Sequence, residues 1–388
     1  MPVRSPLRSA GPAVPARPDP RVRALLKWFP RHRRPLPWRR RRTPYRIWVA
    51  EVLLQQTRVS QAVPYYERFI RRFPTVSALA RASEEQVLKA WEGAGYYARA
   101  RHLHQAARQL RRERGGELPH RADALQQLPG VGPYIAAAVA SLAFQEPVVA
   151  LDSNGLRVLA RWTLERGDPH RAAVHERLRR WAIARLPAGR SGEFNEGLME
   201  LGETICLPRR PDCAQCPIAR HCRARQELPD PGVLPSRRPG RVKPRVVAAV
   251  VAVTRGGRWL VLRRPSTGLL GGLWEFPGGK VASRETPVAA AGRELWEETG
   301  LTAGPLENLG VFHHEYSHFR VALHLFRARS ARGRLRVRGR RQRWVGFSEL
   351  RRLPLPRATL KMLPSLVRAE ARDRAFRGSR SRPGRTAA

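Results

Sequence analysis

Cysteine, acidic residues and long apolar runs are all scarce in this sequence. Only four of its 388 residues are cysteine, and 31 Asp and Glu stand against 74 Lys and Arg, a formal net charge of +43. No run approaches the roughly 18–20 apolar residues of a membrane span. The first twenty residues, rich in Pro and Arg, lack the apolar centre of a secretion signal. We therefore expect a cytoplasmic protein with no membrane partner.

The excess of positive charge predicts a polyanionic partner. Self-repulsion at this net charge is costly unless a polyanion lies near, which favours nucleic acid. The Arg-, Ala- and Pro-rich composition also suits a GC-rich genome, so part of the excess reflects composition. The expected setting is a monomer associated with the nucleoid of a bacterium.

Composition and periodicity divide the chain into two domains with flanking segments. Residues 21–228 are predicted to be helical, since periodic stretches at 46–70, 84–91 and 98–112 are separated by Pro and Gly. Residues 245–370 are predicted to form an α+β domain. The remaining parts are a disordered basic leader (1–20), a Pro-rich linker (229–244) and a disordered basic tail (371–388).

The second domain shows a hairpin signal followed by a helix. The runs 246–253 and 259–263 are composed mainly of residues that favour strands, and they are joined through a Gly–Gly turn. A helix is predicted over 287–299, with strands at 321–327 and 342–347. This order of elements is typical of an α+β fold.

The stretch Leu128–Tyr134 predicts a DNA-backbone clamp. Gly130 and Gly132 flank Val131 and precede an Ala-rich helix. Glycine lets the backbone turn sharply and approach a ligand, while the first N–H groups of the helix face a phosphate. This is the logic of a helix-hairpin-helix, which holds DNA without reading its sequence. The alternative is an ordinary turn between two helices.

Several motifs together resemble the endonuclease III superfamily, and within it the MutY-type adenine DNA glycosylases. The resemblance covers nearly the whole chain except its ends. It implies a multidomain protein, with an all-α helix-hairpin-helix glycosylase domain that carries an iron–sulfur loop and an α+β Nudix-like C-terminal domain. The matching stretches are Leu36–Arg39, Trp48–Thr57, Gly95–Arg101, Leu128–Tyr134, Leu151–Asn154, Phe194–Glu196 and the cysteines.

Two carboxylates are the candidate catalytic groups. Asp152 follows an apolar run and precedes a helix, so a purely structural role as a helix cap is the alternative. The resemblance implies that Asp152 stabilises an oxocarbenium ion, with covalent capture of the sugar as a variant. Glu51 lies in an apolar helix, where burial would raise its pKa and keep it protonated. The alternative is an exposed position on a polar face. The resemblance implies that Glu51 protonates N7 of adenine.

The resemblance also implies roles for residues around the base. Lyases of this superfamily carry a lysine where this chain has Tyr134, and tyrosine cannot form a Schiff base, so a monofunctional glycosylase is predicted. Gln56 and Tyr96 are expected to wedge into the duplex while the base is flipped out. Trp38, Asn154 and Glu196 are expected to bind adenine, although Trp38 could equally lie in the core. The DNA-backbone contacts are assigned to Leu128, Gly130, Val131 and Gly132.

All four cysteines lie within one short loop, residues 206–222. Cys206, Cys213, Cys216 and Cys222 have the spacing C-x6-C-x2-C-x5-C. Scattered disulfides would not cluster in this way, so the spacing indicates a metal site. Four thiolates suit either a [4Fe–4S] cluster or structural zinc, but only one C-x2-C pair is present. The spacing matches the cluster loop of the superfamily, which favours [4Fe–4S], and the nearby arginines are expected to lie beside the DNA backbone.

The C-terminal domain carries a complete Nudix box, although the related domain of adenine glycosylases usually has a degenerate one. In Nudix hydrolases the clustered carboxylates hold magnesium for pyrophosphate hydrolysis. By resemblance the domain instead reads 8-oxoguanine, with Ser317 touching the oxidised face and with Tyr316 and His318 shaping the loop. The alternative for that loop is a hairpin turn with exposed polar residues. The box consists of Gly279, Glu285, Arg293, Glu294, Leu295, Glu297, Glu298, Gly300 and Leu301.

Three functions are compatible with these motifs. The leading hypothesis is a base-excision-repair glycosylase acting on double-stranded DNA with adenine opposite 8-oxoguanine or guanine. The second is a diphosphohydrolase for oxidised nucleotides with a helical DNA-binding domain. The third is a damage-binding protein without catalysis. Intact Glu51 and Asp152 argue for the first hypothesis.

Overall fold

The computed structural model describes residues 19–236, 242–336 and 339–380. The chain forms two compact units: residues 1–81 together with 105–240, and residues 82–104 together with 241–388. Residues 1–18 of the predicted leader, and parts of the predicted linker and tail, lie outside the described residues.

Helices make up the chain as far as residue 227. They are α1 (Pro20–His32), α2 (Pro37–Arg40), α3 (Pro44–Leu54), α4 (Val59–Arg72), α5 (Val76–Arg81), α6 (Glu84–Ala90), α7 (Ala98–Arg114), α8 (Ala122–Leu125), α9 (Pro133–Phe144), α10 (Ser153–Thr163), α11 (Ala172–Ile183), α12 (Ser191–Thr204) and α13 (Arg223–Glu227). Short 3₁₀ turns lie at Ala219–His221, before α13, and at Pro231–Val233, after it.

The periodic stretch 46–70 is divided into two helices. The helix α3 ends at Leu54 and α4 begins at Val59. Gln56 between them has a φ of 56°, in the left-handed region. A helix cannot continue through that conformation, so apolar periodicity alone did not reveal the break.

The first unit brings α3, α9, α10 and α12 together. The helix α12 packs against α1, α9 and α10, and α3 packs against α9. Large side chains fill the core between α1, α10 and α12, including Phe29, Trp162 and Phe194, each at most 1% exposed. This packing places α3, α9 and α12 around the start of α10, where the candidate catalytic residues lie.

The second unit is built on a mixed sheet flanked by helices. The central order is β3-β2-β1-β7-β6, β4 pairs with β1, and β9 pairs with β2. Strands β1 and β7 are parallel, and the other pairs are antiparallel. The elements are β1 (Arg245–Arg255), β2 (Arg258–Arg263), β3 (Trp274–Glu275), β4 (Gly278–Lys280), α14 (Pro287–Thr299), β5 (Thr302–Ala303), β6 (Leu306–Glu315), β7 (Arg320–Ala328), β8 (Ala331–Arg332), β9 (Gln342–Val345), α15 (Phe347–Leu350) and α16 (Arg357–Arg380).

Alternation along β1 creates two separate cores. Val251 and Val253 point to the face that packs on α14, whereas Val250 and Ala252 point to the face that packs on α16. Successive residues of a strand face opposite sides of the sheet, so an apolar run such as 246–253 signals a strand buried on both faces. The predicted α+β arrangement therefore takes the form of a mixed sheet between helices.

Residues 82–104 pack within the second unit, although the sequence assigned them to the helical domain. Glu84 forms an ion pair with Arg263 at 2.8 Å. Glu85 accepts a hydrogen bond from Nε1 of Trp274 at 2.9 Å. These contacts link residues that are 179 and 189 positions apart, which no local pattern would reveal.

The first part of the segment that was expected to be a disordered tail lies in a helix. The helix α16 continues to Arg380, ten residues beyond Glu370, where the sequence placed the end of the domain. Good helix formers such as Ala and Arg continue across this boundary, and the basic composition obscured them. Among the described residues, no helix is both long enough and apolar enough to cross a membrane.

Candidate active site, cysteine loop and DNA-contacting turns

The side chain of Glu51 is buried on α3 and is only 5% exposed. Its Oε2 accepts a hydrogen bond from the hydroxyl of Tyr134 at 2.9 Å. The pKa of Glu51 is raised to about 7, chiefly by burial; the Tyr134 hydrogen bond opposes this shift, and the nearby charges of Asp152 and Glu196 add to it. The alternative of an exposed glutamate is wrong, because the side chain is buried.

Asp152 is the N-cap of α10, and both of its carboxylate oxygens accept hydrogen bonds. Its Oδ1 accepts from the backbone N–H of Gly155 at 2.7 Å, and its Oδ2 accepts from the Asn154 amide at 2.8 Å. Burial raises the pKa of Asp152, and the two hydrogen bonds oppose that shift. The capping interpretation is correct, and the charge of this carboxylate also contributes to the raised pKa of Glu51.

A cage of arginines surrounds the buried glutamates of α12, and the sequence analysis missed it. Glu196 pairs with Arg39 at 3.1 Å and with Arg42 at 2.7 Å. Glu200 pairs with Arg34 at 2.7 Å and with Arg39 at 2.9 Å. Glu196 and Glu200, four residues apart on α12, were the available signal, because they share one helix face.

The two other residues predicted to bind adenine have partners inside the protein. Trp38 is 6% exposed and packs edge to face on Tyr66, with ring centroids 5.2 Å apart. The amide of Asn154 donates to Asp152 and, at 2.9 Å, to Glu203. Asn154 thus orients the carboxylate of Asp152 in this state of the protein.

The turn before α9 has the backbone that its glycines predicted. Gly130 has a φ of +75°, in the left-handed region that favours glycine, and the N–H of Val131 closes the turn on the carbonyl of Leu128 at 3.1 Å. The Leu128 and Val131 side chains are buried, at 5% and 6% exposure. Gly132 is the exposed N-cap of α9. Leu128 and Val131 can therefore offer only backbone groups to a ligand.

Gln56 and Tyr96 share an unusual backbone conformation. Their φ angles are 56° and 47°, and both side chains are exposed. Non-glycine residues in the left-handed region are uncommon and often mark functional sites. The loop around Tyr96 is braced by the indole N–H of Trp91, which donates to the carbonyl of Gly95 at 3.0 Å, and by Arg99, which lies 5.1 Å over the Tyr96 ring. The neighbouring Tyr97 is buried.

None of the four cysteines forms a disulfide, and all four line one cavity. Apolar side chains contribute to the walls, including Trp162, Ile205 and Ile218. The pKa of Cys216 is raised to about 12, chiefly by burial and in smaller part by the other three cysteines. Among residues 19–236, 242–336 and 339–380, no group of His, Cys, Asp or Glu side chains is arranged to hold a metal ion.

Two buried arginines of α10 fix the start of the cysteine loop. Arg157 donates to the carbonyls of Gly202 and Cys206, at 2.8 and 2.9 Å. Arg161, 1% exposed, donates to the carbonyl of Leu207 at 2.8 Å and to the Cys206 sulfur at 3.1 Å. Part of the chain's positive charge is thus committed to its own backbone.

The predicted 8-oxoguanine loop is the tip of the β6–β7 hairpin. The N–H of Tyr316 bonds to the carbonyl of Phe319 at 2.9 Å, and the two rings lie 4.8 Å apart. Ser317 and His318 are exposed, and the Ser317 hydroxyl lies 3.0 Å from Nδ1 of His318. The alternative of a hairpin turn with exposed polar residues describes the geometry, and the recognition role stays a prediction.

Two family models match the chain. Residues 49–183 match the HhH-GPD superfamily of base excision DNA repair proteins, and residues 248–365 match the NUDIX domain. These matches confirm the predicted fold class, namely a helix-hairpin-helix glycosylase domain followed by a Nudix domain.

The chain is also similar to curated proteins over most of its length. The human adenine DNA glycosylase is 35% identical over 363 residues, covering 78% of this chain and 66% of the human protein. The rat adenine DNA glycosylase is 36% identical over 360 residues, covering 78% and 69%. The chain thus spans about two thirds of the length of these relatives. Among solved structures, a thermostable thymine-DNA glycosylase aligns with 53% of this chain and 95% of its own, at 30% identity and a TM-score of 0.49.

The predicted enzyme class agrees with these similarities, because the domain order and the identity extend across both units. The prediction of a DNA glycosylase is confirmed. The chain belongs to the adenine DNA glycosylase family.

Proposed function

We propose that this chain removes adenine opposite 8-oxoguanine or guanine by acid-assisted hydrolysis of the N-glycosidic bond, without cutting the strand. The observation that carries the proposal is the buried Glu51 carboxyl, which has a pKa of about 7 and is held by Tyr134. A general acid works best when its pKa lies near the working pH. The adenine DNA glycosylase relatives support adenine as the base.

Glu51 is the acid in this mechanism. Tyr134 donates to Oε2 of Glu51, so Oε1 is free to carry the proton that passes to N7 of adenine. Protonated adenine is a better leaving group because its departure no longer leaves a negative charge on the base. Glu196, buried and paired with Arg39 and Arg42, is expected to contact the adenine edge beside Trp38.

Asp152 is the carboxylate that stabilises the sugar cation. It is fixed by Gly155 and Asn154, and its negative charge is poorly solvated, as the raised pKa shows. In a site with little water, a fixed anion stabilises a developing oxocarbenium ion more strongly than it would in bulk water.

The decisive experiment measures single-turnover adenine release, with alkali cleavage, on a duplex with adenine opposite 8-oxoguanine. Asp152→Asn removes the charge but keeps a good helix cap. We expect its rate to fall at least about 100-fold, as when a group that stabilises transition-state charge is lost. The matched control is Asp19→Asn, at the N-cap of α1, which also loses a charge. Full activity in Asp152→Asn would exclude the mechanism.

The absence of strand cleavage follows from Tyr134 at the position where a lyase has lysine. A phenol cannot form the Schiff base that leads to strand cleavage. We expect strand breaks only after alkali, and no strong protein–DNA adduct after borohydride. A strong trapped adduct would show that another amine acts as a lyase nucleophile.

Ser317 is the proposed contact to the oxidised face of 8-oxoguanine. Its hydroxyl is exposed at a hairpin tip that the Tyr316–Phe319 packing holds in place. Ser317→Ala is expected to lower the preference for 8-oxoguanine over guanine opposite adenine. Ser330→Ala, an exposed serine beyond the other end of β7, is the matched control. An unchanged preference in Ser317→Ala would exclude this role.

Gln56 and Tyr96 are the proposed duplex wedges. Each presents an exposed side chain from a strained backbone position. Such strain costs conformational free energy and is found mainly where a functional role requires it. A flat tyrosine ring can replace base stacking when the adenine is flipped out.

The cysteine loop is proposed to hold a [4Fe–4S] cluster through Cys206, Cys213, Cys216 and Cys222. The thiols line one cavity, and four thiolates at close quarters repel each other unless an inorganic cation binds them. When bound, the cluster would cross-link the loop. The presence of only one C-x2-C pair favours the cluster over structural zinc. Colourless protein with stoichiometric zinc would exclude the cluster.

A further inference from the structure

Arginine side chains of this chain pair with the carboxylates of the Nudix box. Arg293 donates to Glu285 at 2.9 Å, and its Nη1 lies 3.0 Å from both Glu294 and Glu297. The Glu294 carboxylate also lies against Gly279, where an added Cβ would come within 2.4 Å of it. Each of these three glutamates therefore shares one guanidinium.

Glu298 is held by a second arginine, Arg340, which lies just before β9. Arg340 donates to Oε1 of Glu298, and its Nη2 bonds to Glu275 at 2.7 Å. The other oxygen of Glu298 accepts from the backbone N–H of Gly278 at 3.0 Å. The side chains of Arg340, Glu298 and Glu275 are 15–20% exposed, so the bridge is largely sheltered from water.

The magnesium ion that the Nudix family implies does not fit this arrangement. Magnesium requires near-octahedral oxygen ligands at roughly 2.0–2.1 Å. Both oxygens of Glu298 already have partners, and one partner is a guanidinium that stays charged at any ordinary pH. A divalent ion at Glu298 would lie beside that positive charge and be repelled by it.

We propose that Arg340 is a built-in cation that replaces the divalent metal at the Nudix box, so that α14 is a metal-free scaffold and not a hydrolytic site. The guanidinium bridges Glu298 and Glu275, joining α14 to the end of β3. A complete box in the sequence therefore does not make this domain a nucleotide hydrolase.

The test uses the full chain and Mn²⁺ as the metal probe, read by electron paramagnetic resonance. Arg340→Gln removes the charge, and we expect Mn²⁺ to bind about tenfold more tightly or better, because the repulsion is lost. Adding Glu298→Gln to that variant should abolish the gain. Arg341→Gln, a change at the adjacent exposed arginine, is the matched control and should bind Mn²⁺ like the wild type.

A second measurement keeps the proposal falsifiable if Arg340→Gln does not fold. The single variant Glu298→Gln should bind Mn²⁺ as the wild type does. The wild-type protein should release no pyrophosphate from dGTP or 8-oxo-dGTP when Mg²⁺ is supplied. Loss of Mn²⁺ binding in Glu298→Gln, or Mg²⁺-dependent hydrolysis by the wild type that Glu298→Gln removes, would overturn the proposal. A folded Arg340→Gln variant without tighter binding would overturn it as well.

Discussion

At the scale of single residues, Glu51 shows how burial sets the chemistry of a side chain. A glutamate ordinarily titrates near pH 4.5, and burial on α3 moves this one to about 7. Tyr134 stabilises the charged form through a hydrogen bond, but desolvation has the larger effect. The carboxyl is thus poised to give up a proton near neutral pH.

The pH dependence of adenine release should follow this pKa. The acid must be protonated to act, so the single-turnover rate should fall as pH rises through about 7, approaching tenfold per pH unit above it. Single-turnover rates between pH 5 and 9 measure the profile. A rate that rises steadily across that range would rule out Glu51 as the acid.

The same shift makes stability depend on pH. A raised carboxyl pKa means that the folded state holds the proton more tightly, so the contribution of Glu51 to stability is fully present below pH 4.5 and is lost as pH rises through about 7. The loss amounts to about 3 kcal/mol over this window. Glu51→Gln has no proton to lose and should gain in denaturation midpoint relative to wild type at pH 8 but not at pH 4.5.

The control for that comparison is Glu113→Gln. Glu113 is exposed, and its pKa is lowered chiefly by hydrogen bonds from Arg112 and Gln109, so it does not titrate in this window. Its variant should follow the wild-type stability curve from pH 5 to 8. Parallel curves for wild type and Glu51→Gln would show that Glu51 is not protonated in the folded state.

At the scale of elements, the turn before α9 contains a glycine that the fold itself does not require. Gly132 has an ordinary φ of −81°, and a Cβ added there would meet no atom of the protein within 4 Å. Its neighbour Gly130, by contrast, needs its φ of +75°. A small residue at 132 is therefore best explained by a ligand that approaches the backbone closely.

Gly132→Ala should keep its stability and lose DNA affinity by about tenfold, since the new methyl group would push the phosphate away from the helix N-terminus. Thermal denaturation and fluorescence anisotropy with labelled duplex measure the two effects. The matched control is Gly346→Ala, at the N-cap of α15, where the φ is −70° and the space is likewise open. Equal DNA affinity in all three proteins would remove Gly132 from the DNA interface.

At the scale of the whole molecule, the net charge of +43 is divided between internal and external roles. Arg157 and Arg161 are directed at backbone carbonyls around the cysteine loop, and Arg39 neutralises glutamates of α12. Many other arginines are exposed. Net charge alone therefore overstates the charge available to DNA.

Binding to undamaged duplex should still depend steeply on salt. If six to ten phosphates are contacted, affinity should fall roughly 10³- to 10⁵-fold between 50 and 200 mM salt. Anisotropy titrations at several salt concentrations give the slope. A nearly flat dependence would mean that the exposed arginines do not contact the DNA backbone.

The sequence alone determined the features that depend on short stretches of chain. The cysteine spacing, the Leu128–Tyr134 turn, the β1–β2 hairpin and the Nudix box are local patterns. The helix predicted over 287–299 matches α14 at both ends, because Thr286 caps it and Gly300 ends it in the left-handed conformation. Local backbone preferences suffice for such elements.

The tertiary structure alone decided the properties that depend on neighbours in space. The pKa of Glu51 depends on burial and on Tyr134, which lies 83 residues further along the chain. The state of the Nudix box depends on Arg340, which lies 42 residues beyond Glu298. Electrostatic interactions act through space and strengthen where water is excluded, so the sequence predicted only the direction of the Glu51 pKa shift and neither its size nor the partners of Glu51 and Glu298.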